Sequence, residues 1–204
     1  MKISKSVFEK SSSKISECPN GIHPEFALVG RSNVGKSSLL NTILNKRSIA
    51  KTSSKPGKTL LINHFKINDK FYIVDLPGYG YAKTSKKIIN EIKVIHESYF
   101  KSRKQLLFTF LLIDLRHELQ KTDLKFMEFL NRMVCPFIIV FTKSDKIRPD
   151  QVIEKVSVFK NKLLNYWEDL PKIFLTSSKN KTGVDEILEF IDQSIKENSI
   201  NYPD

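Results

Sequence analysis

The chain is 204 residues long, 40% hydrophobic in composition, and carries a formal net charge of +12. That length suits one core better than two. Its longest apolar stretch is too short to cross a bilayer, and the basic N-terminus lacks the apolar segment of a secretory leader, so a cytoplasmic protein without a membrane span is expected. The two cysteines, Cys18 and Cys135, have no CxxC or metal-ligand spacing, and the four histidines, His23, His64, His96 and His117, are scattered. Metal-centre, Ser-His-Asp and paired-carboxylate hydrolase chemistry therefore gain no support, and Cys135 reads as a small core residue of a protein in a reducing compartment.

Residues 1–24 are Ser- and Lys-rich with only Val7, Phe8 and Ile15 as apolar points, which reads as an arm or at most one edge strand. The run Phe26-Ala27-Leu28-Val29 has the continuous apolar character of a strand buried on both faces. It leads directly into Gly30-Arg31-Ser32-Asn33-Val34-Gly35-Lys36-Ser37, which fits the phosphate-loop pattern G-x-x-x-x-G-K-[ST]. Such a loop turns its N–H groups inward, close enough to phosphate oxygens that a Cβ at Gly30 or Gly35 would interfere. Lys36 would neutralise β- and γ-phosphates and the Ser37 hydroxyl would ligate Mg²⁺ at the start of a helix whose positive end faces the same anion. That helix carries Leu39, Leu40, Ile43 and Leu44 on one face and ends near Lys46.

Residues 47–59 have no periodicity and contain Pro56-Gly57-Lys58-Thr59, a loop of functional length. Thr59 reads as a switch threonine whose hydroxyl ligates Mg²⁺ and whose backbone senses a γ-phosphate. Residues 60–67 and 71–74 form a hairpin across Asn68-Asp69-Lys70. Asp75-Leu76-Pro77-Gly78 then gives D-x-x-G, with the carboxylate reaching Mg²⁺ through water and the Gly78 N–H approaching a γ-phosphate. A helix follows with Ile88, Ile92, Ile95 and Tyr99 on one face.

The remainder alternates. Strands are expected over 106–113, 137–141 and 172–175, and helices around Phe126, Met127, Leu130 and Met133, after Pro149, and after a Thr182 cap with Val184, Ile187, Leu188, Ile191 and Ile195 facing inward. The pattern predicts an α/β fold: a single, mostly parallel six-stranded sheet with one antiparallel edge strand and helices on both faces. The domain is expected over 25–198, with 199–204 as a tail.

Ligands of such sheets bind beyond the carboxyl ends of the strands. There the chain also places Thr142-Lys143-Ser144-Asp145 and Thr176-Ser177-Ser178. A carboxylate at Asp145 can accept from both N1–H and the exocyclic amine of guanine, whereas adenine has no such edge. Lys143 would cover the base with its stem and charge, and a backbone N–H at Ser178 would bind guanine O6.

Together G-R-S-N-V-G-K-S, P-G-K-T, D-L-P-G-Y-G-Y-A, T-K-S-D and T-S-S-K resemble the translation-factor (TRAFAC) class of P-loop GTPases, and more narrowly the EngB (YihA/YsxC) family of bacterial ribosome-biogenesis GTPases. The resemblance spans most of the chain. It implies one GTPase domain that binds GTP and GDP with Mg²⁺, hydrolyses GTP, and acts in assembly of the large ribosomal subunit, with cell division and septation as a consequence. It implies phosphate contacts from Gly35, Lys36, Ser37 and Ser38, and guanine contacts from Thr142, Lys143, Asp145 and Ser178. Arg31, Ser32, Val34, Leu76, Pro77, Ser144, Thr176 and Ser177 stand in the same nucleotide-binding loops.

Two positions depart from the general GTPase pattern: Thr142 replaces the usual Asn, so the tie between base loop and phosphate loop is reduced to a hydroxyl, and Ser178 replaces Ala. Tyr79 occupies the place where many GTPases carry a water-orienting Gln, which predicts slow intrinsic hydrolysis completed by a partner or an ion. By resemblance Asn33 would hold K⁺ near the phosphates, in the role of an arginine finger.

The lysines of residues 46–58 and 83–87 offer a surface for ribosomal RNA and protein, although 28 lysines against six arginines also fit a Lys-biased background composition. A monomer is expected. The competing readings are a P-loop kinase for a small molecule, disfavoured by the absence of an Arg-rich lid, and a GTP-binding module for tRNA modification or membrane transport.

Overall fold

The computed structural model describes residues 1–46, 60–80 and 85–201, without the side chains of the last three. Pro56, Gly57, Lys58 and Thr59, and the lysines at 51, 55 and 83, lie outside the described residues. In chain order the elements are β1 (Ser6–Ser12), a short 3-10 turn (Ile15–Glu17), β2 (Glu25–Gly30), α1 (Lys36–Ile43), β3 (Ile62–Ile67), β4 (Phe71–Asp75), α2 (Lys86–Ser102), β5 (Leu106–Asp114), α3 (Lys121–Arg132), β6 (Phe137–Thr142), α4 (Pro149–Leu163), β7 (Ile173–Leu175) and α5 (Val184–Asn201).

The strands form one sheet in the order β1-β3-β4-β2-β5-β6-β7. Pairing from β4 through β2, β5 and β6 to β7 is parallel, while β3 runs antiparallel to both β4 and β1. The sheet thus has seven strands rather than six, and the antiparallel strand lies one place in from the edge. The edge itself is β1, in the stretch that the apolar pattern leaves open as an arm or an edge strand. Its side chains are mostly exposed, so it is held by main-chain pairing to β3 and leaves little hydrophobic periodicity to read.

Alternation along each central strand divides the core between the two faces. Ala27 and Val29 of β2 join Leu111, Ile113, Ile139 and Phe141 against α2, α3 and α4, which contribute Tyr99, Phe126, Met127, Leu130, Phe159 and Leu163. Phe26 and Leu28 join Phe110, Leu112, Ile138 and Val140 on the other face against α1 and α5, through Leu39, Leu40, Ile187 and Ile191. With both faces covered, functional groups collect at the strand ends.

Local signals explain two of the helix starts. Ser85 caps α2, its Oγ accepting from the Ile88 N–H at 3.4 Å, and Pro149 opens α4 where its missing N–H leaves nothing unpaired. Thr182 is not the cap of α5: Gly183 intervenes, and the Thr182 carbonyl instead accepts from the Ser177 N–H at 3.1 Å. The helix runs to Asn201, past the start of the predicted tail. Both cysteines are buried free thiols, and burial pushes the Cys135 thiol up to about 11. Among the described residues no helix is long and apolar enough to cross a membrane.

Candidate functional site

The loop between β2 and α1 makes a tight, preformed turn. A Cβ on Gly30 would stand 2.8 Å from the Leu112 carbonyl oxygen and 2.9 Å from Val34 Cγ1, so only glycine fits beside β5. Gly35 sits at φ +106°, a backbone region closed to most side chains, and Asn33 is also left-handed at φ +61°. The Val34 side chain, 3% exposed, pins the middle of the loop into the core. No side chain caps α1, so the N–H groups of its first turn remain directed out of the helix, the arrangement that receives an anion.

Asp75, at the end of β4, forms an ion pair with Lys36. The two side chains are only 14% and 15% exposed, so neither charge is well solvated and each depends on the other. The segment after Asp75 is laced to the phosphate loop. The Leu76 N–H donates to the Leu28 carbonyl at 3.0 Å, the Tyr79 N–H to the Gly30 carbonyl at 3.2 Å, and the Ser32 N–H to the Tyr79 carbonyl at 3.4 Å. Leu76, Pro77 and Gly78 are all buried in this stretch.

The Tyr79 side chain points into the core. Its ring stacks on Phe126 with centroids 4.2 Å apart, and its hydroxyl donates to Asp123 Oδ1 at 2.9 Å. Arg31 Nε donates to the same oxygen at 3.0 Å. Arg31 therefore turns its side chain towards α3. Burial pushes the Asp123 carboxyl up, against the pull of Arg31 and Tyr79.

Behind this segment the buried His96 Nε2 donates to the Pro77 carbonyl at 2.8 Å, an assignment that follows because a carbonyl can only accept. Burial holds this imidazole down at about 4, against an ordinary 6.5. An unfolded chain takes up that proton below pH 6.5 and the folded chain does not. Stability is therefore fully present above pH 6.5 and falls as the pH drops towards 4, by about 3 kcal/mol in all. Urea unfolding at pH 7.5 and pH 5 should show about 2 kcal/mol of this loss in the native chain and a smaller loss in His96→Gln, which keeps the donor and removes the titration.

The base-side loops converge from β6 and β7. Thr142 Oγ1 donates to the Val34 carbonyl at 2.6 Å, so the hydroxyl does tie this strand end to the phosphate loop. Lys143 Nζ donates to the Asn33 carbonyl at 2.7 Å and to Asp114 Oδ2 at 2.9 Å. Asp145 Oδ1 accepts from Ser177 Oγ at 2.7 Å, and the Ser144 N–H donates to the Thr176 carbonyl at 3.2 Å. The Thr176 hydroxyl donates to the Phe141 carbonyl at 2.8 Å, and the Ser178 carbonyl faces the Thr42 hydroxyl at 3.5 Å.

The described parts of four of the five motif stretches thus meet along one edge of the sheet; the fifth, Pro56 to Thr59, lies outside the described residues. The donors at Ser37 and Asp75 also suit Mg²⁺: a hydroxyl and a carboxylate are hard oxygen ligands, and Mg²⁺ commonly takes one or two of these with phosphates and waters. Asp114, Asp123 and His96 were not singled out from the sequence. Asp114 closes a strand just as Asp75 does, and Asp123 shares a helical face with the core residues Phe126, Met127 and Leu130, so both carried a legible signal.

Residues 25–143 match a family model described as 50S ribosome-binding GTPase. A protein from Flavobacterium psychrophilum, "Probable GTP-binding protein EngB", is 50% identical over 95% of this chain and 95% of its own. Its namesake from Christiangramia forsetii is 47% identical over 94% of this chain and 97% of its own. The chain belongs to the EngB family of GTP-binding proteins. The same fold appears in a crystal structure of a probable EngB protein (TM-score 0.64, 24% identity, 85% of this chain and 99% of that one). It appears also in Era in complex with MgGDPNP and a 16S ribosomal RNA fragment (TM-score 0.63, 24% identity, 84% of this chain and 56% of that one).

Membership of the EngB family makes the chain a GTP-binding protein with a GTPase domain, and the small-molecule kinase reading falls away. It also bears on Thr142. Thr142→Val keeps shape and removes the hydrogen bond to the Val34 carbonyl, so guanine-nucleotide affinity should fall by roughly tenfold, the size of one such bond. Calorimetric titration with GDP checks it.

Proposed function

We propose that this EngB-family protein binds GTP and GDP with Mg²⁺ and serves as a slow GTPase switch in assembly of the large ribosomal subunit, in the cytoplasm. The observation that carries the partner is the match of residues 25–143 to a model described as 50S ribosome-binding GTPase. On this reading Lys36, Ser37, Ser38 and the loop N–H groups receive the phosphates, Asp145 and the Ser178 N–H recognise guanine, and Lys143 covers the base. Mg²⁺ would be held by Ser37, Asp75 and Thr59 and would neutralise charge on the β- and γ-phosphates. Phosphate binding at Lys36 exchanges its ion pair with Asp75 for ligand contacts, which frees the carboxylate for the metal side of the site.

Slow hydrolysis follows from Tyr79, whose hydroxyl is committed to Asp123 and whose ring is stacked on Phe126, so its side chain does not present a water-orienting group. Catalysis is then completed by the Gly78 N–H with a partner, or with K⁺ at Asn33, and faster turnover in potassium than in sodium is expected of the second.

Co-sedimentation with large subunits in GDP, in a non-hydrolysable GTP analogue and without nucleotide tests the whole reading. Nucleotide-dependent binding is expected, and equal binding in all three would count against a switch. Charge reversal at Lys51, Lys55 and Lys58, with the exposed Lys86 and Lys87, should weaken that binding and flatten its salt dependence.

A further inference from the structure

We propose that Asp114 is a positioning residue of the guanine site: with the Asn33 carbonyl it holds the Lys143 ammonium, so that the lysine stem is fixed across the phosphate loop before a base arrives. The inference rests on the guanine-nucleotide reading above and adds a residue to it.

Asp114 ends β5 directly beside Thr142 of β6, and the Leu115 N–H donates to the Thr142 carbonyl at 3.2 Å, so the two strand ends are locked in register. Its carboxylate is 6% exposed and accepts from Lys143 Nζ at 2.9 Å. Arg116 grips the same group, with Nε at 2.9 Å from Oδ1, Nη2 at 2.7 Å from Oδ2, and its backbone N–H at 3.1 Å from Oδ1. Burial alone would favour the protonated acid, but the hydrogen bonds from Arg116 and Lys143 outweigh it and hold the carboxyl well below the usual range. Asp114 therefore presents a fixed negative charge to Lys143.

The lysine is constrained at both ends. Its backbone is left-handed at φ +60°, and its Cε lies 3.5 Å from where a Cβ on Gly35 would stand. A free lysine side chain has among the largest rotamer entropies to lose on ordering. Here that ordering is done by Asp114 and Asn33, so a base that packs on the stem binds a preorganised surface. Packing of an alkyl stem on a purine face is indifferent to the exocyclic amine, whereas Asp145 reads that edge. Asp114 should thus act on affinity for every purine that Lys143 covers, without altering the choice among them.

Calorimetry of the full chain with GDP and with inosine diphosphate, which lacks the exocyclic amine, separates the roles. Asp114→Asn is expected to weaken both ligands by the same factor, about tenfold, as for one charge-assisted hydrogen bond. Lys143→Met should do likewise, and the double variant should bind no more weakly than Lys143→Met alone. Lys162→Ala, at an exposed ion pair with Glu118 outside this network, should leave both affinities within about twofold, the scatter expected of independent sites.

The proposal is overturned if Asp114→Asn leaves GDP affinity unchanged, if it weakens GDP far more than the inosine ligand, if the two substitutions add in full, or if Lys162→Ala reproduces the loss. Should Asp114→Asn not yield folded protein, Asp114→Glu keeps the charge for Arg116 and moves its oxygens, and an equal loss on both ligands is again expected, with unchanged affinity as the contrary result. Failure of the native chain to bind GDP would instead sink the guanine reading itself.

Discussion

Asp145→Asn is expected to lower GDP affinity by roughly a hundred- to a thousandfold, because two charge-assisted hydrogen bonds to the base are at stake. The chemistry also sets what the variant should gain. A carboxylate offers only acceptors, matching the N1–H and the amine of guanine. An amide offers one acceptor and one donor, matching the N1–H and the 2-oxo group of xanthine. Xanthosine diphosphate should therefore bind Asp145→Asn more tightly than it binds the native chain. Ser177, whose hydroxyl donates to Asp145 Oδ1 at 2.7 Å, limits how far the new side chain can turn, and Asn can keep this bond through its own oxygen. Competition calorimetry with both nucleotides decides the point. A loss of GDP binding with no gain for the xanthine ligand would mean that Asp145 supports the loop rather than reads the base.

Lys36→Ala is expected to weaken GDP and GTP binding by at least a hundredfold, since the phosphates lose a charge partner in a poorly solvated site. It should also bring phosphate release to background. The same substitution should destabilise the nucleotide-free chain by about 2 kcal/mol, because Asp75, only 14% exposed, is left without its cation. The two effects can be separated. Adding Asp75→Asn to Lys36→Ala removes the orphaned charge and should recover most of the stability while recovering none of the affinity. Urea unfolding and nucleotide titration on the same samples provide the test, and a Lys36→Ala chain that binds GDP within tenfold of native would refute the assignment of Lys36 to the phosphates.

Much of this site was legible in one dimension because its parts are punctuation. The strand β2, read from Phe26 to Val29, ends at the glycine loop, β4 ends at Asp75, and β6 runs into Lys143 and Asp145; each apolar run stops at a polar group of the candidate site. Hydrogen-bond logic alone singles out the carboxylate at 145 for the proposed base contact. The inward turn of Tyr79 was not legible. From sequence Tyr79 merely lacked an amide for orienting water, and the stack on Phe126 with a hydroxyl bond to Asp123 explains why the ring is withdrawn altogether.

The sequence by itself determined the alternation of strands and helices and the phosphate-loop motif, and it pointed to the acid proposed to read guanine, because these rest on local backbone geometry, hydrophobic period and functional-group chemistry. Tertiary structure decided the seventh strand, since β1 is joined to β3 by main-chain pairing that carries almost no side-chain pattern. It also decided which charges meet. Arg31 finds Asp123 from 92 residues away, and Lys143 finds Asp114 across 29. Nothing in the spacing of those residues specifies the pairs; the order β4-β2-β5-β6 brings the carboxyl ends of four strands side by side, and the Lys143–Asp114 contact follows from that juxtaposition.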